Sequence, residues 1–84
     1  MSTVAQRLER AILDLVEARG PGRSICPSEA ARAVGDEGWR DLMEPAREVA
    51  RELAAQGRVV VTSGETVLSP ADEWKGPVRI RPVP

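Results

Sequence analysis

Residues 24–62, SICPSEAARAVGDEGWRDLMEPAREVARELAAQGRVVVT, decide the fold of this 84-residue chain. Within them, Cys26-Pro27 opens a helix: proline suits the first helical position, where its missing N–H costs nothing. Glu29 in the first turn complements the positive end of the helix dipole. Ala30, Ala31 and Val34 supply small packing residues, and Gly35 ends the helix. Asp36-Glu37-Gly38 reads as a turn. A third helix is expected from about Trp39 to Gln56, with Leu42, Ala46, Val49, Ala50, Leu53 and Ala54 as its core stripe and Gly57 as its stop. Pro45 falls inside it. A continuous helix would lose one hydrogen bond and kink there. The alternative is a short turn over Trp39–Glu44 and a helix starting at Pro45. The continuous, kinked form is the one expected. Val59–Thr62 is β-branched and reads as a strand. Helix, turn, helix, then strand is the element order of a winged helix.

Working outward, Thr3 and Gln6 have the spacing of a capping box. Val4, Leu8, Ala11, Ile12, Leu15 and Val16 follow at helical spacing, and Gly20-Pro21 stops this first helix. Arg23–Ile25 reads as a short extended segment. After Val59–Thr62, Ser63-Gly64-Glu65 makes a tight turn and Thr66–Leu68 returns, giving a hairpin wing. Ser69-Pro70-Ala71-Asp72 is a cap-like turn. Val78-Arg79-Ile80-Arg81 alternates apolar and charged, as a half-buried strand does. The expected fold is α+β: a winged helix with a three-helix helix-turn-helix core and a C-terminal β-hairpin wing, one domain over residues 1–84.

GPGRSICPSEAARAVG and then GWRDLMEPAREVARELAAQGRV resemble a family of small bacterial proteins catalogued only as a domain of unknown function with a winged-helix-like fold. The resemblance spans about Val4 to Arg81. Its more specific marks are SICPSEAARA, Trp39 and the closing GPVRIR. It implies a winged-helix-like fold and carries over no catalytic residue.

Composition limits the functional classes. Twelve basic residues stand against thirteen acidic ones, for a net charge of −1. A strong non-specific nucleic-acid binder needs a positive field, so any such contact has to be local. A chain this short buries roughly 60–65% of its unfolded surface, which leaves a modest core. The one cysteine, Cys26, permits no intramolecular disulfide. With no signal-peptide pattern and no membrane-spanning run, a cytoplasmic protein is expected.

Seven cations are the candidate nucleic-acid contacts. Arg40, Arg47 and Arg51 sit on the third helix, the natural recognition helix, with Arg58 just beyond it; arginine is the preferred reader of guanine. Lys75, Arg79 and Arg81 form a second basic group near the last strand. Against this, Asp41, Glu44, Glu48 and Glu52 cancel the helix arginines. A solvated face laced with weak ion pairs explains that pattern as well. Arg79 and Arg81 fit an edge strand protected from pairing as well as a phosphate contact. The wing tip, Ser63-Gly64-Glu65-Thr66, carries no basic residue.

Cys26 lies at a helix N-terminus, yet the sequence has no histidine to act as its base. A small half-buried residue beside a cap accounts for it. Gly20-Pro21-Gly22-Arg23-Ser24 lacks the spacing and the Lys-Ser/Thr ending of a phosphate loop. Trp39, beside Leu42 and Met43, reads as a core residue. Trp74, if exposed, would anchor a protein partner. No metal site, cofactor or enzyme activity is expected. The leading reading is a module binding double-stranded DNA; the alternative is a module that binds another protein or itself.

Overall fold

The computed structural model describes residues 3–84, so the first two residues of the expected 1–84 domain lie outside the described residues. The chain is α+β. Three α-helices, α1 (Val4–Arg19), α2 (Pro27–Gly35) and α3 (Met43–Ala55), precede three strands, β1 (Val59–Ser63), β2 (Thr66–Leu68) and β3 (Arg79–Pro82). A 3-10 segment, Asp36–Leu42, joins α2 to α3. Among the described residues, no helix is long and apolar enough to cross a membrane.

α1 starts at the capping box the spacing predicts. The Gln6 amide N–H donates to Thr3 Oγ1 at 3.1 Å, and the Thr3 N–H donates back to Gln6 Oε1 at 2.9 Å. Leu8, Ile12 and Val16 of its apolar stripe are buried, Ala11 and Leu15 are partly buried, and Val4 at the start of the stripe is exposed. α2 starts at Cys26-Pro27 as expected and buries Ala30 and Ala31.

The third helix corrects the expectation of a continuous run from Trp39. Residues Asp36–Leu42 wind as a 3-10 segment, and the α-helix begins at Met43. Pro45 therefore lies in the first turn. The N–H groups there have no intrahelical partner in any case, so proline breaks no hydrogen bond and imposes no kink. Gly35 lets the 3-10 segment approach closely: a Cβ at this position would lie 2.6 Å from Leu42 Cδ1. α3 then buries Ala46, Val49, Ala50 and Leu53, the stripe read from its spacing.

The strands form one antiparallel sheet in the order β2-β1-β3. The hairpin turns tightly at Gly64, whose φ of 59° is costly for a residue with a Cβ. On the other side of β1, Val61 pairs with Ile80 and Thr62 with Arg79. Ile25 adds a short extended pairing at the edge of β3. Its N–H and carbonyl exchange hydrogen bonds with Ile80 at 2.8 and 2.7 Å. One apolar core joins α1, α2 and α3 to Ile25, Val59, Val61, Val78 and Ile80. Trp74 closes it, with only 8% of its surface accessible.

Candidate functional site

The segment between β2 and β3 has little regular structure, so its carbonyls need donors from elsewhere. Part of the supply is local. The Ser69 N–H donates to Asp72 Oδ2 at 2.8 Å, and the Ala71 N–H donates to Ser69 Oγ at 3.2 Å, which makes the cap-like turn read in the sequence. The rest comes from α3. Arg47 donates to the Gly76 carbonyl at 3.0 Å and to the Trp74 carbonyl at 2.8 Å. Arg51 donates to the carbonyls of Pro70 at 2.5 Å and Asp72 at 2.7 Å. The Arg51 guanidinium also lies 4.2 Å from the centre of the Trp74 ring. A planar fork with five donors can bridge several carbonyls and stack on an indole together; an ammonium cannot.

These contacts change the reading of the expected recognition helix. Arg47 and Arg51 clamp the 70–76 segment to the body of the domain, and both are half-buried. Glu44, Glu48 and Glu52 are exposed. The outward line of α3 is therefore acidic. Trp74 is not the exposed anchor that a partner would grip. It is buried, and its Nε1–H donates to the Ser69 carbonyl at 3.0 Å.

The other candidate cations divide in the same way. Arg58 pairs with Glu9 at 3.2 Å and ties the start of β1 to α1. Arg79 donates to Ser24 Oγ at 2.9 Å, to the Ser24 carbonyl at 3.0 Å and to Cys26 Sγ at 3.2 Å. It thus holds the Ser24–Cys26 segment against β3. Arg81 shares its face of β3, since both are exposed while Ile80 between them is fully buried. Among the described residues, the side chains of Arg40, Lys75 and Arg81 make no hydrogen bond or ion pair within the chain.

A polar cluster surrounds the start of α2. Glu29 accepts the Cys26 backbone N–H at 2.8 Å and pairs with Arg19. Partial burial pushes the Glu29 carboxyl up. The Cys26 amide, the Arg19 charge and the side-chain hydrogen bonds from Arg19 and Cys26 outweigh that, and hold it below the ordinary carboxylate value. The cluster explains Cys26 as a cap residue among polar neighbours. Among the described residues, no group of three or more His, Cys, Asp or Glu side chains is placed to hold a metal ion.

One arrangement was not legible in the sequence. Arg32, on α2, and Arg40, on the 3-10 segment, both stack on Trp39, with their guanidinium carbons 4.4 and 4.7 Å from the ring centre. Trp39 is half-buried at the edge of the core, while both arginines are exposed. No local spacing signals a contact that depends on how the end of α2 meets the following turn.

Comparison with known proteins agrees with this picture of a fold without an assigned chemistry. The family model described as "Protein of unknown function (DUF3253)" matches residues 5–83. No curated protein matches the chain. Since the match covers nearly its whole length, the chain belongs to this family of proteins of unknown function.

Proposed function

We propose that this chain is a winged-helix domain that docks another protein and does not read DNA through α3. Three features support the winged-helix reading. α2 and α3 follow one another across the 3-10 turn as in a helix-turn-helix. The β1–β2 hairpin occupies the place of a wing. The Ile25–Ile80 pairing supplies the short strand between the first two helices.

The observation that carries the docking role is the use made of Arg47 and Arg51. Each gives two hydrogen bonds to the chain's own carbonyls. A helix that enters the major groove needs those donors for base edges and phosphates. What α3 offers outward is Glu44, Glu48 and Glu52, which phosphates repel. Of the seven candidate cations, this leaves Arg40, Lys75 and Arg81 for nucleic-acid contact. The role proposed is binding, and the sequence has no histidine to make a nucleophile of Cys26.

Fluorescence anisotropy with random-sequence duplex DNA tests this reading. No binding is expected even at low salt. Micromolar affinity that falls steeply with added salt would overturn it, because that slope counts displaced phosphate counterions.

A further inference from the structure

We propose that Arg32, Trp39 and Arg40 form the point at which an acidic peptide segment of a protein partner docks; the proposal rests on the protein-docking reading above. One indole holds two guanidinium groups, at 4.4 and 4.7 Å from its centre. The two cations therefore cannot be farther apart than the sum of those distances. Stacking on a ring face leaves the N–H edges of a guanidinium available, so each presents an open donor fork to solvent. Among the described residues, no hydrogen bond or ion pair within the chain engages either one. Arg19, Arg47, Arg51, Arg58 and Arg79 differ from them in this: each is engaged by a carboxylate or carbonyl of the chain.

The backbone holds the pair in place. Gly35 admits the close approach of the 3-10 segment, and a Cβ there would also come within 3.7 Å of Trp39 Cβ. The 3-10 segment places Trp39 and Arg40 beside Arg32 on α2. Tryptophan and arginine are the residue types that dominate binding hot spots when they cluster. A partner that covered the half-buried Trp39 would desolvate both guanidinium groups, and buried charge has to be paired. Carboxylates on the partner would pair both guanidinium groups. A peptide can place two carboxylates with uncharged residues beside them. A nucleic-acid backbone is a continuous polyanion, and Asp36, Glu37 and Asp41, exposed on the same segment, disfavour it more than a peptide with spaced carboxylates.

The test is an NMR titration of the full chain with a short peptide of alternating glutamate and alanine. A glutamine–alanine peptide and duplex DNA are titrated in parallel. The acidic peptide is expected to shift the Trp39 indole N–H and the Arg32 and Arg40 Nε–H signals along one saturable curve. The Trp74 indole N–H, held by Ser69, should stay fixed. The R32Q/R40Q variant, altered only at exposed positions, should keep the remaining spectrum and weaken the response by about tenfold or more. The glutamine peptide should give none. No saturable shift, or a shift that survives R32Q/R40Q, overturns this docking point alone. Tighter saturation of the Trp39 signal by DNA than by the peptide overturns both this docking point and the protein-docking reading.

Discussion

Arg51 shows how one side chain can have two plausible roles until its neighbours are known. In the sequence it is a recognition-helix arginine. In the fold it bridges two carbonyls and covers the Trp74 ring. Charge-assisted hydrogen bonds of this kind contribute about 1.5–3 kcal/mol. R51A should lower the unfolding free energy by roughly that amount in urea denaturation, and R51K should recover little, since lysine lacks the fork. A loss within about 0.5 kcal/mol would show that the clamp is not structural. Glu29 makes a pH prediction. Its folded pKa is depressed, so its contribution to stability is complete above the unfolded value, near 4.5, and is lost as pH falls through the folded value. E29Q should flatten the dependence of stability on pH below about 4.5 and leave the slope near neutrality unchanged. Equal slopes in the acid range for wild type and variant would contradict the assignment.

At the scale of the element, the decisive feature is where α3 begins. With the start at Met43, Pro45 stands in the first turn and its missing N–H removes no helical bond. P45A should then change stability by no more than about 1 kcal/mol, and any change should be a loss, because alanine gives the unfolded chain more freedom. A helix that ran on from Trp39 would instead gain about 3 kcal/mol when the proline was removed. Thermal or urea unfolding of this one variant separates the two. The 3-10 turn also has a structural consequence: it sets Trp39 and Arg40 beside α2, where Arg32 can reach the same ring.

For the whole molecule, the distribution of charge matters more than its total. A net charge of −1 is compatible with a local basic face. The fold instead turns four of the seven candidate cations to contacts within the chain, and leaves the acidic line of α3 exposed. If that line is what keeps nucleic acid away, the E44K/E48K/E52K variant should acquire salt-sensitive affinity for duplex DNA. Each new cation that meets a phosphate should steepen the salt slope by about one unit. A variant that folds and still ignores DNA would place the exclusion elsewhere, in the β1–β2 hairpin or in the clamped arginines.

Local chemistry was enough to specify the capping box at Thr3, the stop at Gly20, the proline start of α2, the buried stripe of α3 and the three strands. Those features depend on spacing, on special backbone residues and on β-branching, all of which act within a few residues. The α+β class follows from their order. The start of α3 was not legible, because a 3-10 turn and a kinked helix satisfy the same residues over Trp39–Glu44. Only the packing of that stretch against α2 at Gly35 separates them. The fate of the arginines was least legible of all. A guanidinium on a flexible stem binds whichever acceptors lie within reach, and those of Arg47 and Arg51 are backbone carbonyls 19 to 29 residues further along the chain. Sequence determined which elements form and which cations exist; tertiary structure alone decided which of those cations are engaged within the chain, because only the assembled fold brings distant carbonyls to them.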